Sequence, residues 1–481
     1  MKQRELKRLF PTLMLLYVFS GCIVLKMPAQ TFVHNYSKEY IYPEEPAVKQ
    51  KLEEWQDLKF GILIHFGLYS YLGCNESWPI CSDRHWRDTT MSYTAFKEHY
   101  WEAANFFRPM DFNPERWSEV SKKAGMKYVV FTTKHHDGFN MYDTKYSDYS
   151  ITKYAFKNQK KNNITKEVFD AYRKDGFVIG AYYSKADWHS QDYWWDKYAT
   201  PDRYHNYDSD RYPERWQRFK QFCYNQIEEL MNGDYGKIDI LWLDGGWVRP
   251  SSDEIIKARG AAYTGSEDID MPGIASMARN YQPGLLVVDR TVSGKYENYR
   301  TPEQIIPEEQ MDTPWETCLT LGKAWGYKPG DNQYYKSPSK EISILAEIVA
   351  KGGSYLLAVA PNGDGIFPAE AENILIRIGK WLDKNGEAIY GTRITKHYHD
   401  GNTWFVQSKD AGTLYAIYCP EENTSLPKTI VWEGNEPEGT MTLLQTNRQV
   451  KYSVQNGKVT VMLPSGLNNE PLAFRFKPKN K

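Results

Sequence analysis

Between residues 58 and 360, short apolar runs alternate with amphipathic stretches of helical period. "LKFGILIHFG" (58–67) predicts a first buried strand. "FNPERWSEVSKKAGMKYVVFTTK" holds one whole repeating unit. Asn113 is placed to N-cap a helix and Pro114 suits its first position. Trp117, Val120 and Ala124 share one face, Gly125 ends the helix, and 127–134 reads as the next strand. Residues 165–174 followed by 177–184 repeat the unit. "PERWQRFKQFCYNQIEELMNG" puts Trp216, Phe219, Cys223, Ile227 and Leu230 on one stripe and leads into "KIDILWLDGG" (237–246). Further strands are expected at 285–290 and 354–360. Alternating strand and helix predicts a parallel sheet with helical crossovers. At least six strands in about 330 residues favour a (β/α)8-like TIM barrel, with a doubly wound open sheet as the alternative. No GxGxxG follows an early strand, so nothing indicates a dinucleotide site.

After "NGEAIYGT" (385–392) the texture changes. Short alternating runs such as "NTWFVQS", "TLYAIYC" and "KTIVWEG" predict an antiparallel β-sandwich over 393–481, with Asn456-Gly457 as a hairpin turn. The barrel then occupies 31–392. Residues 1–30 have another character: "MKQRELKR" is basic, "LFPTLMLLYVFSGCIVL" is apolar, and polar sequence follows. This is the layout of a secretory signal, and it predicts export to a bacterial periplasm or cell surface. "FSGC" resembles a lipobox with Cys22 as the lipidated residue, although Phe19 is atypical there; ordinary cleavage near "PAQ" is the alternative.

Composition narrows the partners. Lys plus Arg total 60 and Asp plus Glu total 61, a balance that argues against nucleic acid or a polyanionic substrate. The 16 Trp and 36 Tyr fill cores, and they also suit stacking on the apolar faces of sugars. The six cysteines form no CxxC and indicate no zinc site; Cys74 and Cys81 are close enough in sequence to bridge, and Cys223 reads as core.

Chemistry collects at strand ends. In a barrel of this kind, functional side chains project from the C-terminal ends of the strands. "KIDILWLDGG" ends a run built for burial on Asp244 and two glycines. "TTKHHDGF" ends on His135, His136 and Asp137, "ILIHFG" on His65, "VVDR" on Asp289 and Arg290, and "YYSKADWH" supplies Tyr182, Tyr183 and Trp188. Each alone is as easily a structural group. Together they describe a cup of hydrogen-bond donors and aromatic walls suited to a neutral polyhydroxylated ligand. Adjacent histidines on a strand point to opposite faces, so chelation by His135 and His136 requires a break in that strand. Carboxylates without a metal suggest glycoside hydrolysis, and a metal-dependent hydrolase is the rival.

On these blocks, together with "WQDLKFGILIHFGLYS", "VVDRTVSGKYENYRTPEQ", "WETCLTLGKAWGY" and "IVAKGGSYLLAVAPNGDG", the chain resembles the α-L-fucosidases of glycoside hydrolase family 29. The resemblance implies a barrel joined to a β-sandwich, a retaining mechanism on a fucosylated glycan, and no cofactor or metal. It implies Asp244 as nucleophile. It leaves the acid/base among Glu303 of "YRTPEQ", the first choice, Glu297 of "KYENY" and Glu316 of "PWETC". It implies a fucose pocket from His65, His135, His136, Arg290 and Tyr182, with Trp242 and Trp325 as aromatic walls. Glu76 and Trp78 of "CNESWPIC" correspond to a glutamate-aromatic pair near the sugar. The insertion 192–212 is expected either to cover the entrance and contact the leaving-group sugar or to pack as a surface loop. A catalytically silent fucose-binding lipoprotein is the alternative function.

Overall fold

A computed structural model describes residues 40–81, 90–199, 202–422 and 424–479. The leader and Cys22 lie outside the described residues. Seven parallel strands form the first sheet: β1 (Phe60–Ile64), β2 (Tyr128–Lys134), β3 (Val178–Ser184), β4 (Ile240–Asp244), β5 (Leu286–Asp289), β6 (Glu316–Thr320) and β7 (Ser354–Ala358). Their order is β5-β4-β3-β2-β1-β7-β6. The two edges, β5 and β6, are joined through the extended segment 296–304. On one side Asn298 N–H donates to Val287 C=O (3.0 Å) and Asp289 N–H to Tyr296 C=O (2.9 Å). On the other, Glu316 N–H donates to Arg300 C=O (2.8 Å) and Gln304 N–H to Cys318 C=O (3.0 Å). The curled sheet therefore closes, TIM-like, through one irregular stave.

The expected helix caps form. Asn113 accepts from Arg116 N–H at 3.0 Å ahead of the helix Pro114–Lys123, and Gly125 takes a left-handed φ of 84° at its end. Strand alternation decides what faces the barrel interior. Leu63, Val130, Tyr182, Ile240, Trp242, Leu286, Val288 and Cys318 fill the inside. Ile62, Val129, Phe131, Leu241, Leu243 and Val287 pack outward against the helices. Continuing the same parity one step past each strand's apolar run sends His65, Asp244 and Arg290 inward at the C-terminal mouth.

Several elements escaped the sequence pattern, two of them in the barrel's closure. The helix Pro46–Leu58 sends Val48, Leu52 and Trp55 into the interior cluster and stoppers the barrel's N-terminal end, with Trp55 stacked on Tyr299 at 4.0 Å. Its signal, apolar residues at i, i+4 and i+7, was present in the sequence. Strand β6 reads Glu-Thr-Cys-Leu-Thr because its inward positions are polar, so no apolar run marks it.

The C-terminal strands are β8 (His399–Asp400), β9 (Thr403–Gln407), β10 (Leu414–Tyr418), β11 (Thr429–Glu433), β12 (Pro437–Leu443), β13 (Arg448–Val450), β14 (Tyr452–Gln455), β15 (Lys458–Met462) and β16 (Leu472–Pro478). They form antiparallel sheets ordered β13-β12-β16-β10-β9-β8 and β11-β15-β14. Phe405, Trp432, Met441, Val459 and Phe474 fill the space between. Asn456 and Gly457, both with positive φ, make the β14–β15 turn as expected. Trp381 of the last barrel helix donates to Pro471 C=O at 2.6 Å and ties the sandwich to the barrel. Cys74, Cys223, Cys318 and Cys419 are free thiols, so the Cys74–Cys81 bridge does not form, and Cys223 is buried in the core.

Candidate active site

Asp244 sits at the tip of β4 with both oxygens engaged. Oδ1 accepts from Arg290 Nη1 and from Gly245 N–H, each at 2.8 Å. Oδ2 accepts from the Tyr182 hydroxyl at 2.6 Å and lies 3.7 Å from His136 Nε2. Burial works to raise this carboxyl's pKa. Arg290, His136, the Tyr182 hydrogen bond and His135 outweigh it and hold the group well below the ordinary aspartate range. The glycines after it are structural requirements. Gly245 has φ 84°, and a Cβ on Gly246 would stand 2.7 Å from Arg290 C=O and closer still to Thr291 Oγ1.

The same guanidinium reaches the second carboxyl. Arg290 Nη2 donates to Glu303 Oε2 at 2.8 Å while its Nη1 holds Asp244. One guanidinium's width plus two hydrogen bonds puts the bonded oxygens at most about 8 Å apart, compatible with the roughly 5–5.5 Å of retaining glycosidases. The two carboxyls differ in environment. The Glu303 side chain is 38% exposed against 19% for Asp244, so Glu303 is the one facing solvent. Its pKa is raised, by burial of the carboxyl in the mouth and by the negative charges of Asp244 and Glu76, against the lowering effect of Arg290. The rivals have other hydrogen-bond partners. Glu316 is fully buried at the start of β6, where it accepts from the Tyr128 hydroxyl (2.7 Å) and Trp242 Nε1 (3.1 Å) beneath the pocket floor. Glu297 bridges to Val288 of β5; burial and Asp289 push it up to about 7 against Arg300, the Thr291 backbone N–H and Arg290, and Arg290 hydrogen-bonds Glu303 instead.

Glu76, His65 and His135 make the opposite wall. His65 Nε2 and His135 Nε2 converge on Glu76 Oε1 at 3.1 and 3.6 Å. Burial alone would raise Glu76; hydrogen bonds from His135 and His65 bring it down to about 2. His135 Nδ1 is hydrogen-bonded with Ser77 Oγ (2.6 Å) and His136 Nδ1 with Ser184 Oγ (2.7 Å), which fixes both rings. Strand β2 ends at Lys134, and a turn closed by Gly138 N–H to His135 C=O follows. The break that chelation by adjacent histidines would need is therefore present, and both imidazoles enter the pocket 4.2 Å apart. Ligand atoms of His65, Glu76 and His135, and of His135, His136 and Asp244, lie within 4.8 Å of one another.

Aromatic rings complete the cup. Tyr182 stacks on Trp242 at 5.2 Å, and Arg290 lies 4.2 Å over the Trp242 ring, so Trp242 is the floor rather than a side wall. Trp325 stands 5.7 Å from His65. Trp78 packs at 5.2 Å from His136 and 5.5 Å from Trp247. Trp247 and Arg203 were not anticipated. Trp247 follows the two glycines directly, and Arg203 lies 4.9 Å over Trp78 and 5.4 Å over Trp247. Arg203 comes from the insertion 192–212, whose Tyr193, Trp194 and Tyr207 are buried, and Arg203, itself buried, backs the pocket's aromatic wall. Asp137 and Asp289, also at strand ends, face away. Asp137 accepts from the Tyr100 hydroxyl at 2.6 Å. Asp289 pairs with Lys185 at 2.5 Å behind β4, with side chains 3% and 0% exposed. That pair reaches from β3 to β5, about 10 Å across the intervening strand. Lys185 N–H also donates to Asp244 C=O at 2.9 Å. Backbone is strained at the site itself: Glu76, Thr291 beside Arg290, and Gln304 beside Glu303 all have positive φ without being glycine.

A TIM-like barrel whose mouth holds two carboxyls, oppositely shifted and bridged by one arginine within an aromatic cup, defines a glycoside hydrolase. A family model described as alpha-L-fucosidase matches residues 28–387, and the chain belongs to that family. It is 27% identical over 433 residues to the tissue alpha-L-fucosidase of Rattus norvegicus, covering 84% of this chain and 86% of that enzyme. Among solved structures, alpha-L-fucosidase isoenzyme 1 from Paenibacillus thiaminolyticus superposes with a TM-score of 0.72 at 27% identity, covering 90% of this chain and all of the other. A Bacteroides thetaiotaomicron alpha-L-fucosidase, trapped as a covalent intermediate with 2-fluoro-fucosyl fluoride in a glutamate-to-glutamine mutant, shares the fold (TM-score 0.70, 22% identity, 92% and 98% covered).

Proposed function

We propose that the chain releases terminal α-L-fucose from glycans with retention of configuration, and that Asp244 and Glu303 are its two catalytic carboxyls. The observation that supports this pairing is Arg290, hydrogen-bonded to both at the mouth. Asp244, held ionised, attacks the anomeric carbon as the glycosidic C–O bond breaks, and Glu303 gives its proton to the departing oxygen. The product is a fucosyl ester on Asp244. Glu303, now a carboxylate, takes a proton from water; that water attacks the same carbon, the ester bond breaks, and Asp244 is restored. Ionised Glu76 accepts from sugar hydroxyls, with His65 and His135 orienting it, and Trp325 and Trp78 offer apolar surface to the sugar's C5 methyl.

The test is Asp244→Gly. Turnover of an aryl fucoside should fall by roughly three orders of magnitude or more while circular dichroism is unchanged. Azide, small enough to enter the vacated space, should restore part of the rate and yield the β-fucosyl azide. Near-normal turnover without azide would remove Asp244 from the mechanism. A catalytically silent fucose binder would have no use for two carboxyls with opposite pKa shifts, and it would release nothing from the aryl fucoside. Export with a lipid on Cys22 belongs to the same proposal and rests on the leader's pattern; a palmitate analogue should label the wild type and spare Cys22→Ser.

A further inference from the structure

A cavity of about 860 Å³ lies beside the sugar pocket rather than at Asp244. It is as large as small-molecule sites of roughly 300–1,000 Å³. Its near wall is shared with the pocket. Asn75 lines the cavity, and its Oδ1 accepts Trp325 N–H at 2.8 Å; Glu76 and Trp325, the next residue along from Asn75 and from Ala324, belong to the fucose side. The two segments touch so closely that a Cβ on Gly326 would stand 3.2 Å from Glu76 N. The cavity wall is also linked to the segment that carries Glu303. Gln304, adjacent to Glu303, donates from Nε2 to Thr320 Oγ1 (3.1 Å), which donates to Gly322 C=O (2.8 Å), and the next residue is Lys323 of the cavity wall.

Among the described residues the charge of the cavity is one-sided. Lys323 and Lys328 line it, both exposed and neither in an ion pair with a described residue, and His99 adds a further donor. Among the described lining residues the one carboxylate is Asp331. Its oxygens are occupied by the backbone N–H groups of Lys323 (3.1 and 3.2 Å) and Ala324 (3.3 Å). Lys323 Nζ lies 3.5 Å over the Tyr334 ring, and Tyr334 is itself exposed, so aromatic surface and cation stand together. The near-zero net charge of the whole chain hides this local excess. We infer that this cavity is the subsite for the leaving-group sugars, and that it selects glycans carrying a negative charge there, as a sulfate ester or a carboxylate. This substrate class rests on the fucosidase activity proposed above.

The experiment compares four substrates on the full chain: a neutral aryl fucoside, a neutral fucosylated oligosaccharide, and its sulfated and sialylated forms. Expected is a kcat/KM about ten-fold higher for at least one anionic form than for the neutral oligosaccharide, declining as salt screens the lysines; which form is preferred names the charged group. Lys323→Gln/Lys328→Gln, changed at two exposed positions, should abolish that preference and leave the aryl fucoside rate unchanged. Equal rates on neutral and anionic oligosaccharides, or a preference that survives in the double variant, overturn the inference while leaving the fucosidase assignment intact. No release of fucose from any of the four substrates would refute the fucosidase assignment itself.

Discussion

Glu316 is an acid inside the barrel, and Glu316→Gln exposes what its burial costs. In the fold it touches no solvent and accepts from Tyr128 and Trp242. Burial raises its pKa from 4.5 to about 7, and the two hydrogen bonds and Arg290 offset only part of that. Below pH 4.5 the carboxyl is protonated in both folded and unfolded chains and costs nothing. As pH rises from 4.5 to about 7 the unfolded chain ionises first, so stability is lost across that window and the deficit is constant above it. The difference between 4.5 and 7, at about 1.36 kcal/mol per pH unit, is about 3 kcal/mol. Glutamine keeps an acceptor for Trp242 and a partner for Tyr128 but cannot ionise. Thermal unfolding of wild type and Glu316→Gln, measured from pH 4 to 8, should therefore show the variant gaining several degrees relative to wild type as pH rises. Activity at its optimum should persist, since Glu316 lies below the Trp242 floor and out of reach of a leaving oxygen. Parallel stability curves for the two proteins would show that Glu316 is not held neutral by burial. Loss of turnover by orders of magnitude, with binding intact, would return it to the list of acid/base candidates.

Glu303→Gln should lower kcat on a fucosylated oligosaccharide by about 10²–10⁴ and much less on an aryl fucoside with a good leaving group, whereas Glu297→Gln should retain near-normal turnover; the opposite ranking refutes the assignment. The pH profile of kcat/KM should be bell-shaped, its acid limb below the ordinary aspartate range because Asp244 is depressed, and its alkaline limb above the ordinary glutamate value because Glu303 is raised; Glu303→Gln should lose the alkaline limb. Lys185→Met strands Asp289 without its partner in a dry site and should cost about 3–5 kcal/mol, read as a fall in melting temperature that Lys185→Met/Asp289→Leu largely recovers. A melting temperature equal to wild type in the single variant would show that the pair carries no stabilising load.

Why one carboxyl could be named from the chain and the other only ranked follows from backbone geometry. Asp244 ends a regular parallel strand, and on such a strand parity is rigid: Ile240 and Trp242 face inward, so residue 244 must follow them. His65 and Arg290 obey the same rule after Leu63 and Val288. Glu297 and Glu303 are six residues apart, an even separation that would put both on one face of a regular strand. The stave that carries them is not regular. It pairs antiparallel with β5 at Glu297, crosses the gap, and pairs in parallel with β6 at Arg300 and Glu303. Parity does not survive that crossing, and Glu303 meets Arg290 while Glu297 stays beside β5. No run of apolar residues marks the stave, because it closes the barrel mainly by backbone hydrogen bonds and sends only Tyr299 into the interior cluster. The same limit hid β6, whose inward residues are polar, and Arg203, whose place depends on how a long insertion folds back over Trp78. Regular strands thus put Asp244 and its cation within reach of sequence reasoning. Glu303, the proposed proton carrier, stands on the one irregular stave, and positive φ at Thr291 and Gln304, next to Arg290 and Glu303, marks how far the backbone departs from a strand where the two meet.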